Sequence, residues 1–149
     1  MNVYFSCSLT GGRADEQVYA QIVDHLLDCG FEVPTEHLAR PEVMALERVV
    51  DPHEVYQRDI HWIHGCDAMV AEVSTPSHGV GYELAYALGL KKPVLACYRH
   101  GVTVSKMITG NYQDTLRVLA YPDVVTLLGE IDVFLADLRG GQHPASIDE

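Results

Sequence analysis

Three short runs, residues 3–8 (VYFSCS), 68–73 (AMVAEV) and 93–98 (PVLACY), stay apolar almost from end to end instead of alternating with polar residues. A strand with one wet face alternates; a strand that does not must be covered on both faces, as parallel sheets are. Between these runs the spacing changes to that of helices. Residues 14–29 carry Val18, Ile22, Leu26 and Leu27 at helical intervals, with Gly30 as a stop. Residues 53–64 place Tyr56, Ile60 and Ile63 along one stripe. Residues 81–90 read as a small-residue helix closed by Gly89, and residues 123–139 as a last amphipathic helix. Residues 31–34 begin a second strand and residues 116–121 supply a fifth. Residues 38–51 are broken by Pro41, with a helix possible over 43–49. The alternation predicts an α/β fold: a five-stranded parallel sheet in three α/β/α layers. Residues 1–140 form one domain, and 141–149 read as a polar tail.

Ligands of such sheets bind beyond the carboxyl ends of the strands. That rule selects the exit loops: residues 8–13, Glu36 and His37, residues 74–83, and residues 98–107. Charge narrows the ligand. Ten Lys and Arg against 21 Asp and Glu give a formal charge of −11, and only Lys91 and Lys92 are adjacent. Such a surface repels a phosphate polymer, so no nucleic-acid partner is expected. A single phosphate ester can still be held by backbone N–H groups. No apolar run approaches the ~20 residues of a membrane span, and the first residues do not resemble a signal peptide. A cytoplasmic protein with four reduced cysteines is the expectation.

The densest signal is Ser77-His78-Gly79-Val80-Gly81-Tyr82-Glu83-Leu84. Two glycines between a strand and a helix let backbone approach a ligand at a helix N-terminus. The plainer reading makes them a turn, with Glu83 in the first helical turn complementing the dipole. Neither a P-loop nor a dinucleotide fingerprint is present, and no cofactor is expected. The loop Ser8-Leu9-Thr10-Gly11-Gly12-Arg13 offers hydroxyls, flexible backbone and one cation; alone it is an ordinary Gly-Gly turn. Asp59 flanks the apolar stripe of its helix, and Tyr4 lies within the first strand. His61, His64 and Cys66 have partial metal-ligand spacing but no fourth ligand, so no metal is expected.

Three segments together resemble the nucleoside 2-deoxyribosyltransferase superfamily, most closely its 2′-deoxynucleoside 5′-phosphate N-hydrolase branch. They are Tyr4-Phe5-x-x-Ser8-x-x-Gly11-Gly12-Arg13, Asp59-x-x-Trp62-x-x-x-x-Asp67, and Ala71-Glu72-Val73-x-x-Pro76-Ser77-x-Gly79-Val80-Gly81-Tyr82-Glu83-Leu84. The resemblance implies a flavodoxin-like, doubly wound (Rossmann-like) domain and a homodimer with shared active sites. It implies Glu83 as nucleophile toward C1′ of deoxyribose, Asp59 beside the leaving base, and Tyr4 orienting Glu83. Cys7, Ser8, Leu9, Thr10, Gly11, Gly12, Arg13, His37, Ser77 and Gly79 would bind the nucleotide. Ser105 and Met107 would come from the neighbouring subunit.

Two positions depart from that branch. Thr10 stands where it usually has arginine, and Cys7 where it usually has glycine; Arg13 or the partner's Lys106 are the cations at hand to compensate. Competing expectations are a deoxyribosyltransferase, an N-glycosidase of ribonucleoside monophosphates such as CMP, and a non-catalytic nucleotide-binding domain. Transferases of the superfamily tend to carry an acidic residue and an asparagine where this chain has Ser77 and Ser105. A serine donates to a phosphate that a carboxylate would repel, so the serines favour a 5′-monophosphate.

Overall fold

The computed structural model describes residues 1–9 and 14–141. Thr10, Gly11, Gly12, Arg13 and residues 142–149 lie outside the described residues, so the loop and tail expectations there go untested. The elements run β1 (Val3–Ser6), α1 (Glu16–Asp28), a 3-10 turn (Glu36–Ala39), α2 (Val43–Glu47), α3 (Pro52–Gly65) and β2 (Ala68–Glu72). They continue with α4 (His78–Gly89), β3 (Val94–Arg99), α5 (Lys106–Thr109), β4 (Leu116–Tyr121) and α6 (Val124–Gly140).

All four strands are parallel, in the order β1-β2-β3-β4. Register sets Val3 opposite Ala68, Met69 opposite Val94, and Val94 opposite Leu116. The expected fifth strand is corrected: residues 31–34 contribute only a bridge of Glu32 with Asn2. Val3 N–H donates to the Glu32 carbonyl at 2.8 Å and Glu32 N–H to Met1 at 3.1 Å. Pairing stops there because Pro34 has no N–H to give and the chain then curls into the 3-10 turn.

The apolar runs are explained by what covers them. Val3, Phe5, Val70, Leu95 and Cys97 face α1 (Tyr19, Ile22, Leu26) and α6 (Leu127, Ile131, Phe134). Tyr4, Met69, Ala71, Val94 and Ala96 point the other way, onto Ile63 of α3 and Val80, Leu84 and Leu88 of α4. Each fully buried side chain of this size contributes roughly 1.5–3 kcal/mol. The helical stripe expected of Tyr56, Ile60 and Ile63 holds only at its far end. Ile63 is buried, whereas Tyr56 is half exposed and meets Tyr82 edge-on.

Helix boundaries follow their caps. Asp51 accepts from His53 N–H at 2.8 Å with Pro52 behind it, and Asp123 accepts from Thr126 N–H at 2.8 Å. Ser77 caps α4 by accepting from Val80 N–H, so this helix starts at His78 and not at Gly81. Glu83 therefore sits in the second turn, where a carboxylate no longer complements the dipole. The capping explanation for Glu83 falls away. Among the described residues no helix is long and apolar enough to cross a membrane.

Candidate active site

Strand alternation sends Tyr4 and Ser6 of β1 to the same face, under α4. There Ser6 Oγ donates to Glu83 Oε2 at 2.5 Å, tying the carboxyl to the sheet. Burial is the main cause that raises the Glu83 pKa to about 7; the Ser6 hydrogen bond opposes it and the Asp59 charge adds to it. The Tyr4 hydroxyl is fully buried close by. Burial, then the charges of Glu83 and Asp59, push the phenol far above its ordinary range. Its contact with Glu83 falls short of a fully formed hydrogen bond.

Asp59 reaches the same place from α3. Arg58 Nε donates to Asp59 Oδ1 at 2.8 Å, while Arg58 Nη1 donates to Glu47 Oε1 at 2.9 Å. Glu47 also meets His37 Nε2 at 3.2 Å, and the Arg58 guanidinium lies 4.9 Å from the Trp62 ring centre. Burial raises the Asp59 pKa, and Arg58 holds it back by hydrogen bond and charge. The outcome is two carboxyls of raised pKa on neighbouring helices.

Between them lies a cavity of about 430 Å³. Glu83, Asp59, Arg58 and Glu47 line it, with Cys7 and Leu9 after β1 and Ser77 and Gly79 at the start of α4. Leu38, Met44, Val50, Pro52 and Val55 give it an apolar side. That mixture suits a ligand with one flat apolar part and one polar end. Ser77 is held from behind. Glu72, fully buried, accepts from Ser74 Oγ at 2.5 Å and Tyr121 Oη at 2.9 Å. Ser74 Oγ in turn accepts from Arg99 N–H at 2.8 Å, so the turn leading to Ser77 is pinned to two strands.

The structure thus gathers Glu83, Asp59, Cys7, Leu9, Ser77 and Gly79 around one space, with Tyr4 beneath. Ser8 is fully buried away from the cavity wall, and His37 stands behind Glu47. Ser105 and Met107 do not reach this cavity within the chain. Ser105 caps α5, accepting from Met107 N–H at 3.2 Å, and both line a second groove of about 660 Å³. The grooves share α4: Gly79 and Glu83 face one, and Gly81, Ala85 and Leu88 the other. Sequence reasoning missed Ser6, Glu47, Arg48 and Arg58. Ser6 was legible from its period-two relation to Tyr4; Glu47 and Arg48 lie in the stretch that Pro41 obscured. His61, His64 and Cys66 do not gather, since His64 bonds Tyr86 Oη at 2.9 Å and the buried Cys66 thiol donates to the Ile63 carbonyl.

A profile described as nucleoside 2-deoxyribosyltransferase matches residues 3–116. A Methanosarcina mazei protein provisionally named 2′-deoxynucleoside 5′-phosphate N-hydrolase 1 is 40% identical over 122 residues, 82% of this chain and 76% of that one. The 5-hydroxymethyl-dUMP N-hydrolase of Rattus norvegicus is 42% identical over 113 residues, 73% of this chain and 69% of that one. Among solved structures, the 2-deoxyribosyltransferase of Bacillus psychrosaccharolyticus superposes with a TM-score of 0.62. It shares 21% identity and covers 86% of this chain and 90% of its own, which is a likeness of fold.

Proposed function

The chain belongs to the nucleoside 2-deoxyribosyltransferase family, and from that premise we propose that it hydrolyses the N-glycosidic bond of 2′-deoxynucleoside 5′-monophosphates. The observation that carries this reading is the Glu83 carboxyl, partly buried, tied down by Ser6 and facing a cavity that Asp59 also lines. The names of the similar proteins point to the same reaction.

In this reading Glu83, once ionised, attacks C1′ as the C1′–N bond breaks and the base takes the bonding pair. Charge accumulates on the sugar as in other glycoside cleavages, so a carboxylate against C1′ stabilises the transition state. Asp59, its pKa raised by burial, gives its proton to the departing base. The glycosyl ester is then opened by water, whose proton returns to Asp59, releasing 2-deoxyribose 5-phosphate and the Glu83 carboxylate. Tyr4 is a positioning residue: its buried ring and hydroxyl restrict the Glu83 carboxyl to one orientation. The 5′-phosphate lies at the start of α4, against Ser77, the Gly79 backbone and the helix dipole. Leu38, Met44, Val50 and Val55 receive the base.

Ser77 and Ser105 favour the hydrolase over the transferase reading, because neither repels a phosphate. We further read the chain as a homodimer in which Ser105 and Met107 of one protomer complete the cavity of the other. Met107 and Tyr112 are highly exposed, and the second groove is largely apolar in its lining (Val73, Val104, Leu84, Leu88, Ile108). The test of the function is release of free base from a panel of deoxy- and ribonucleoside monophosphates and the matching nucleosides. Release confined to deoxynucleoside monophosphates supports the proposal. Transfer of deoxyribose to added adenine, with little hydrolysis, favours the transferase.

A further inference from the structure

Far from Glu83, the last turn of α1 and the middle of α6 bring together three metal-binding side chains of different chemistry. His25 and Cys29 are four residues apart and so share one face of the α1 end, and Asp132 faces them from α6. His25 Nε2 lies 2.7 Å from Asp132 Oδ1 and 3.9 Å from Cys29 Sγ, and the three ligand atoms lie within 4.8 Å of one another. Ligands around a tetrahedral zinc ion, at bond lengths of about 2.0–2.3 Å, stand roughly 3.3–3.8 Å apart. The thiol is already near that separation. Asp132, half exposed, has only to swing back by less than about 1 Å.

We propose that His25, Cys29 and Asp132 form a surface site for a borderline-soft divalent cation of the zinc type, joining α1 to α6. Imidazole and thiolate select such an ion over Mg²⁺ or Ca²⁺, which take oxygen ligands. Water fills the fourth position. On binding, the Cys29 thiol releases its proton to solvent as the sulfur–metal bond forms. His25 moves its ring proton, which it gives to Asp132 from Nε2 in the ion-free chain, to Nδ1 by exchange with solvent and so offers the Nε2 lone pair; no electron is transferred. The ion replaces the His25–Asp132 hydrogen bond with a three-point clasp. The site lies about 20 Å along α1 from the helix start that adjoins the catalytic end, and it does not depend on the function proposed above.

The reduced full chain is titrated with Zn²⁺ by calorimetry and with Co²⁺ by absorbance. Of the four free cysteines Cys29 is the exposed one, so a thiolate-to-cobalt charge-transfer band reports this site. The expected result is one ion per chain, one proton released per ion, a cobalt band, and a Tm that rises with Zn²⁺. Cys29→Ser is expected to abolish the band and weaken Zn²⁺ binding by about tenfold or more. Asp132→Asn is the second variant, expected to keep the band and lose much of the Tm response. Absence of the cobalt band in the wild-type chain, or equal Zn²⁺ affinity in Cys29→Ser, overturns the site. In the second case other histidines hold the ion and the cluster is a hydrogen-bonded pair beside a thiol.

Discussion

A carboxyl whose pKa is raised from 4.5 to about 7 by burial is costly to ionise in the folded chain, and Glu83 bears that cost at the cavity wall. Between those two pH values the folded state binds more protons than the unfolded one, so stability falls as pH rises through the window. The total is at most ~3.5 kcal/mol at about 1.4 kcal/mol per pH unit. Glu83→Gln keeps the shape and an acceptor for Ser6 but carries no charge. Its Tm advantage over wild type is expected to grow from pH 4.5 to about 7 and then level off, in melts across that range. A constant difference would mean that Glu83 is well solvated. The same variant is expected to lose base release by ~10³-fold or more, and wild-type kcat/KM is expected to be bell-shaped in pH, rising as Glu83 ionises and falling as Asp59 loses the proton it gives to the base. Ser77 allows the proposed phosphate contact to be tested apart from the fold. Aspartate caps a helix as well as serine does, so Ser77→Asp should leave the melting curve nearly unchanged. It places a carboxylate where the proposed reading sets the 5′-phosphate and removes the hydroxyl donor. A hydrogen bond to a charged group is worth roughly 1.5–3 kcal/mol, so preference for nucleotide over nucleoside should fall ~10–150-fold. An unchanged ratio of the two rates would move the phosphate away from Ser77.

Elements repeat the same division between what the sequence states and what only packing decides. α1 ends with Gly30 at φ +79°, donating to the Leu27 carbonyl while Phe31 N–H donates to Leu26, and the sequence announces this stop. α4 ends differently. Gly89 is its last helical residue, and the left-handed position falls on Lys91, at φ 60°. Lys91→Gly should therefore stabilise the chain by up to ~1 kcal/mol, the left-handed penalty partly offset by a more flexible unfolded state. Denaturant unfolding at equal m-value checks it, and a loss of stability would show that the lysine side chain contributes more than its backbone costs. The strands covered on both faces were legible because they have no polar face to give them away as anything else. Glu83, Asp59 and Tyr4 were singled out largely because three spaced segments resembled a known family. What stayed hidden depends on contacts distant in sequence. Residues 31–34 look like a strand yet pair only once, because Pro34 ends the ladder. Glu47 is held at the cavity by Arg58, eleven residues on, and by His37, ten residues back.

At the scale of the whole molecule, α4 separates two grooves, the one that Glu83 lines, where the reaction is proposed, and the one that Ser105 lines. Gly79 and Glu83 face the smaller cavity, while Ser105 and Met107 line the larger groove across the helix. If Ser105 acts on the nucleotide, it has to do so in a second copy of the chain. A twofold pair would exchange these residues reciprocally, each protomer supplying the other. Mixing separates the two arrangements. Glu83→Gln pairs and Ser105→Asp pairs are each expected to be nearly inactive. A hybrid pair has one cavity in which an intact Glu83 meets an intact Ser105, and one in which both are altered. An equal mixture, once subunits exchange, should recover at most about a quarter of wild-type activity, since half the pairs are hybrids and each has one working site. Activity that appears with mixing and tracks the exchange rate supports donation across the interface. If the mixture stays as inactive as its components although exchange is complete, Ser105 serves its own chain or none. A wild-type chain that is monomeric and fully active at assay concentration would remove the shared site altogether.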